Sequence, residues 1–133
     1  EALKACGKTL RKAKVAVLGF SFKPNVKDAR FTKVKEVVKL LVKRGAEVFV
    51  HDPYFSAREI KRMGYKGGSL KMAVKGADCI LIAIGHDRFK RMDLLGIKPL
   101  VRWPSAIVDC AFVVKPSRAK RLGFVYRGLG RPK

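Results

Sequence analysis

The sequence predicts an α/β domain of three layers, α/β/α, built on a mostly parallel sheet. Three observations predict it. The apolar runs Val15-Ala16-Val17-Leu18 and Cys79-Ile80-Leu81-Ile82-Ala83-Ile84 are continuous instead of alternating, as strands covered on both faces require. Segments with helical spacing separate the strands, which is the pattern of parallel crossover units. At 133 residues the chain can bury one substantial core and is too short for two ordinary domains.

Each element has its own signal. The first strand ends at Gly19, and helical spacing resumes only at Val34, Val37, Val38 and Leu41, with Lys33, Lys35, Lys39 and Lys43 on the polar face. Thr32 is the expected N-cap and Gly45 the expected C′ residue of this helix. Glu47-Val48-Phe49-Val50-His51-Asp52 reads as a strand stopped by Pro53, completing a β-α-β unit with a right-handed crossover. Ser56 can cap a helix over residues 57–63 that ends at Gly64. Gly67-Gly68-Ser69 then breaks the chain before a short helix over residues 70–74, closed by Gly76. The strand over residues 79–84 leads into the polar loop Gly85-His86-Asp87-Arg88, at the sheet edge where open α/β folds bind ligands. Residues 89–95 read as helical, residues 106–110 as a strand and residues 124–126 as a last short strand. Pro99 and Pro104 mark loops.

Composition narrows the function classes. A hydrophobic fraction of 48% beside a charged fraction of 31% belongs to a globular chain, and the longest apolar stretch, residues 79–85, is too short to span a bilayer. The first residues lack a signal-peptide core, so a cytoplasmic location is expected. Cys6, Cys79 and Cys110 are odd in number and widely spaced, which suggests neither a disulfide framework nor a metal site, and Cys79 reads as core packing. The net charge of +21 attracts polyanions, yet the excess is shared almost equally by residues 1–66 and 67–133. No single basic stripe accounts for it. The charge is equally suited to an acidic partner or companion domain.

The connection after the first strand carries the chemistry. It runs for roughly a dozen residues, far longer than most βα connections, and contains Phe22, Lys23 and Arg30. Lysine supplies a point charge and arginine a planar fork of donors, the two common ways to hold phosphate or carboxylate. Phe22 can stack on a ring or pack on the sheet. Both cations are expected to converge on one anion at the carboxyl end of the first strand. Asp52 and His86, each at the end of a strand, are further candidates; the simpler readings are a turn cap for Asp52 and a solvated loop histidine for His86. His51 reads as structural.

Taken together, V-A-V-L-G-F-S-F-K-P-N-x-x-D-x-R, a helix ending R-G-A-E-V, and H-D-P resemble the C-terminal domain of the UDP-glucose/GDP-mannose dehydrogenase family. The similarity continues through Ala77-Asp78, the His86 loop, Ile107-Val108-Asp109 and the closing Gly123-Phe124-Val125-Tyr126-Arg127-Gly128-Leu129-Gly130-Arg131. The resemblance implies a Rossmann-like doubly wound sheet with strand order 3-2-1-4-5 for the first five strands, and a nucleotide-sugar ligand. It matches Phe22 and Lys23 to the F-K pair lining the UDP-sugar site, and Arg30 to the arginine of a D-x-R-E-S segment that contacts the nucleotide. Here Phe31 and Thr32 replace the glutamate and serine of that segment, and Cys110 replaces a glycine after Asp109.

The resemblance also implies that residues 1–13 end an interdomain linker and residues 14–133 form the UDP-sugar-binding domain. Its family reaction oxidises a sugar C6 alcohol twice to a carboxylate with two NAD, using an N-terminal Rossmann domain and a nucleophilic cysteine. This chain has no G-x-G-x-x-G after a strand and no cysteine in a matching motif, so it is expected to hold no catalytic residue and no NAD, and to be inactive alone. The NAD-binding and central domains would be its partners, with a homo-oligomer open. Two other readings stay open: a basic module that binds nucleic acid or another polyanion without sequence preference, and a structural or interaction domain.

Overall fold

The computed structural model describes residues 1–129, so Gly130 and Arg131 of the closing motif lie outside the described residues. Five strands form one all-parallel sheet: β1 (Lys14–Leu18), β2 (Glu47–His51), β3 (Cys79–Ile82), β4 (Ala106–Asp109) and β5 (Val125–Gly128), in the order β2-β1-β3-β4-β5. A further parallel bridge joins Val50 to Gly67 beside β2. Counted in chain order as the third strand, this one-residue pairing sits outside β2, and the first five positions then read 3-2-1-4-5. The expected pattern is present, with its third strand shrunk to a bridge because Gly67-Gly68-Ser69 has no side chains suited to a pleated surface.

β1 is central, and its continuous apolar run follows from that position. Ala16 and Leu18 enter one core, Val15 and Val17 the other, and all four are buried. The helices divide accordingly. α1 (Ala2–Ala5), α2 (Val34–Lys43) and α3 (Ala57–Arg62) contribute to the core containing Val15 and Val17. α4 (Leu70–Val74), α5 (Asp87–Lys90), α6 (Leu94–Ile97) and α7 (Pro116–Arg121) contribute to the core containing Ala16 and Leu18. Burying a Val or Leu side chain stabilises by about 1.5–3 kcal/mol, so the two cores hold the sheet from both sides.

Local chemistry agrees with most of the element signals and moves some boundaries. Ser56 caps α3 in a full capping box with Glu59, and Ser69 caps α4. Lys33, not Thr32, is the N-cap of α2; the Thr32 hydroxyl instead accepts the Val34 N–H at 3.2 Å. The expected helix over residues 89–95 is two short helices, α5 and α6, because the Asp93 carboxylate accepts the Gly96 N–H and starts the chain afresh. β3 stops at Ile82 and β2 at His51, short of the apolar and acidic residues that follow them.

Residues 1–13 pack against the sheet. Ala2, Leu3, Cys6 and Ala13 are buried, and the Lys8 ammonium donates to the buried Asp78 carboxylate at 2.6 Å. Burial pushes the Cys79 thiol up to about 12, as core packing implies.

The β1 turn is closely packed. Gly19 has φ +100°, and a Cβ there would lie 2.7 Å from Ile84 Cβ and 2.9 Å from Ile84 N. Gly64 has nearly the same φ, +99°, with nothing within 4 Å. Gly64→Ala is therefore expected to destabilise by about 1 kcal/mol from backbone strain alone, and Gly19→Ala by about 3 kcal/mol or more, because collision adds to strain. Urea unfolding of both variants measures the difference; equal losses would show that the Ile84 backbone yields freely.

Candidate functional site

Asp52 organises the carboxyl edge of the sheet. It follows β2 directly and is fully buried. Its Oδ2 accepts the Phe20 N–H at 2.7 Å, the Ser21 N–H at 3.1 Å, the Ser21 hydroxyl at 3.1 Å and His86 Nε2–H at 2.9 Å. Its Oδ1 accepts the Tyr54 N–H at 2.8 Å. Burial alone would push this carboxyl up; the donors from Phe20, Tyr54 and His86 outweigh it and hold Asp52 below the usual carboxylate value.

The expected solvated histidine is buried instead. His86 has no exposed surface, because its ring packs between Tyr54 and Phe89 at centroid distances of 4.9 Å and 5.5 Å. With Nε2 donating to Asp52, Nδ1 accepts the Asn25 N–H at 2.9 Å, so the two partners select the neutral, Nε2-protonated ring. Asn25 adopts φ +62°, a region asparagine tolerates better than most residues, and its Oδ1 accepts the Asp87 N–H at 2.9 Å. Asp52, His86 and Asn25 thus clamp the loop after β1 onto the loop after β3.

The clamp leaves the predicted cationic residues at the surface. Phe22 is 39% exposed, and Lys23 Nζ stands 5.4 Å from the centre of its ring. The Arg30 side chain is 78% exposed and is oriented by Asp28, whose carboxylate accepts from Nε and Nη2. Those bonds pull the Asp28 carboxyl down to about 2. Arg30 Nη1 makes no hydrogen bond among the described residues.

The convergence expected of Lys23 and Arg30 is not what the cavities display. Arg30 lines a cavity of about 560 Å³ together with Lys27, Lys35 and Phe55. Phe22 and Lys23 are not among its lining residues, although the chain reverses between Phe22 and Asp28, where the Phe22 N–H donates to the Asp28 carbonyl at 2.8 Å. Lys27 is paired with Glu59 at 2.7 Å. Sequence reasoning missed Ser21 and Asn25, although an asparagine after a proline in a long loop is a signal for a left-handed turn. It also missed Lys27 and Lys35, which share a cavity lining with Arg30.

Because Asp52 is held below the ordinary carboxylate value, its contribution to stability is present above the unfolded value of about 3.9 and is lost as pH falls through the folded value. Asp52→Asn is expected to remove roughly 2–4 kcal/mol at pH 7. The gap between wild type and variant should close at strongly acid pH. Urea titrations at several pH values check this, and a gap independent of pH would show that Asp52 is not ionised in the fold.

Known proteins share this sequence and this fold. The UDP-binding-domain model of the UDP-glucose/GDP-mannose dehydrogenase family matches residues 16–116. UDP-N-acetyl-D-mannosamine dehydrogenase of Methanococcus maripaludis is 32% identical over 124 residues, covering 91% of this chain and 28% of that protein. UDP-glucose 6-dehydrogenase of Pseudomonas aeruginosa is 30% identical over 127 residues, covering 90% of this chain and 28% of that protein. Among solved structures, NDP-N-acetyl-D-galactosaminuronic acid dehydrogenase of Methanosarcina mazei superposes with a TM-score of 0.89 at 33% identity, over 98% of this chain and 27% of that one. The chain spans just over a quarter of the length of these relatives. On its sequence and its fold, the chain belongs to the UDP-glucose/GDP-mannose dehydrogenase family, whose UDP-binding domain it matches.

Proposed function

We propose that this chain is the nucleotide-sugar-binding domain of an NAD-dependent UDP-sugar 6-dehydrogenase that works in the cytoplasm. The carrying observation is the loop after β1, fixed by Asp52 and His86 while Phe22, Lys23 and Arg30 remain exposed at the carboxyl edge of the sheet. A site held rigid from beneath and left open above is suited to a charged ligand. The similarity to UDP-sugar dehydrogenases supports a diphosphate as that ligand.

In this reading residues 14–133 form the UDP-sugar domain, and residues 1–13 lead in from the segment before it. Lys23 contributes a mobile ammonium and Arg30 the free edge of a guanidinium that Asp28 already orients. Phe22 offers a ring face. Asp52 and His86 act as positioning residues; their polar atoms are spent on the loop and none is left for substrate.

NAD does not belong on this chain. The first βα turn reads Gly19-Phe20-Ser21-Phe22, and the buried Phe20 fills the place where a dinucleotide fold needs glycine to admit a pyrophosphate. The N–H groups of Phe20 and Ser21 are committed to Asp52. Oxidation of the sugar C6 alcohol would draw its hydride acceptor and its nucleophile from other parts of the enzyme, and the isolated chain would not turn over.

Titration of the labelled chain with UDP is expected to shift amide signals of residues 19–32 and 85–87, with an affinity weaker than about micromolar (8 kcal/mol). In the complete enzyme, Lys23→Ala or Arg30→Ala should each weaken UDP-sugar binding by about 1.5–3 kcal/mol. UDP signals confined to other regions, with both substitutions silent, would overturn the assignment.

A further inference from the structure

A second cleft, of about 950 Å³, opens beyond the end of β2, and its lining includes neither Phe22, Lys23 nor Arg30. Its size lies within the range of small-molecule pockets. Two arginines stand on one wall, Arg88 in α5 and Arg91 at its C-cap, one helical turn apart. Both are exposed, and neither has an ion-pair or hydrogen-bond partner among the described residues. Their neighbour Lys90 is paired with Asp87, and Arg30 with Asp28.

The two carboxylates on the cleft wall, Asp52 and Asp93, form no ion pair with either arginine; Asp87, outside the lining, interacts with the charge of Arg91. Asp52 spends both oxygens on Phe20, Ser21, Tyr54 and His86, and Asp93 accepts the Gly96 N–H. The opposite side offers hydroxyl donors: Ser56 and Ser69 each accept an N–H through Oγ, from Glu59 and Met72, which leaves their hydroxyl hydrogens uncommitted. Phe55, Leu70 and Met92 add apolar surface.

We propose that this cleft is a second anion site that takes a small phosphorylated molecule, with a diphosphate held between Arg88 and Arg91 and an apolar portion lying on Phe55, Leu70 and Met92. Two like charges one turn apart repel, and an anion between them reverses that term. Two planar forks at that spacing suit two adjacent phosphoryl groups. The site is separate from the Lys23 and Arg30 loop and does not depend on its reading.

The test uses inorganic pyrophosphate as probe on the full chain at about 0.15 M salt, where long-range attraction is screened. Calorimetry compares wild type, Arg88→Gln/Arg91→Gln, and a control pair on α2, Lys39→Gln/Lys43→Gln, that removes the same charge elsewhere. The arginine pair is expected to lose about tenfold or more in affinity, and the lysine pair less than about twofold. Pyrophosphate should shift amides of residues 68–70 and 88–92, and these shifts, unlike any at residues 19–32, should persist in Lys23→Ala/Arg30→Ala and vanish in Arg88→Gln/Arg91→Gln. Equal losses in the arginine and lysine pairs, or an arginine pair that binds as wild type, would overturn the proposal. Loss of the shifts at residues 68–70 and 88–92 in Lys23→Ala/Arg30→Ala would also overturn it, because the cleft would then have no anion site of its own.

Discussion

One buried carboxylate holds the carboxyl edge together. Asp52 joins the ends of β2, β1 and β3, three neighbouring strands, by accepting donors from Tyr54, from Phe20 and Ser21, and from His86. Taking a carboxylate out of water costs several kcal/mol, and each hydrogen bond to a charged acceptor returns about 1.5–3 kcal/mol. The carboxylate is stable in the interior only while the loop keeps its shape, and the loop keeps its shape only while the carboxylate is charged. His86 extends this coupling to Asn25 and, through it, to Asp87.

The same device recurs at two other strand ends. Asp109 closes β4 by accepting N–H groups from Ala111, Val113 and Val114 and the Tyr126 hydroxyl. Asp78, before β3, accepts the Lys14 N–H and the Lys8 ammonium and so ties the first residues to the sheet. Asp52, Asp78 and Asp109 are all buried, although the chain has only 10 acidic residues to set against 31 basic ones. The surface is therefore more positive than the formal charge of +21 suggests. A protein whose few carboxylates are used as internal ties presents cations to its surroundings almost everywhere, which favours anionic ligands and disfavours crowding with its own kind.

Function on this edge then becomes a matter of which cations are free and which are held. Arg30 is oriented by Asp28, Lys27 is paired with Glu59, and Lys23 lies over an aromatic ring. Arg88 and Arg91, in a separate cleft, form no ion pair among the described residues. In a uniformly basic chain the presence of a lysine or arginine says little; the partner it already has decides whether it can take another.

Periodicity was enough to read the parallel three-layer fold, because burial on both faces leaves a continuous apolar run in β1 and β3 and a one-sided stripe in α2. The Ser56 cap was legible because its partner lies three residues on; Ser69, read only as part of a chain break, proved to cap α4 in the same way. α1 and α7 were not legible: each is too short to display a period, and each is helical because the sheet supplies a surface to pack on. The loop after β1 was recognisable as a candidate site by its length and its cations, and Phe22, Lys23 and Arg30 do stand exposed there. What only the tertiary structure decided is their grouping. Asp52 and His86 are separated by 34 residues and Asn25 and His86 by 61, so no local pattern could reveal that the pair serves as a buried clamp. Side chains from distant segments acquire a role when the sheet brings them within hydrogen-bond reach, and burial then makes that contact obligatory.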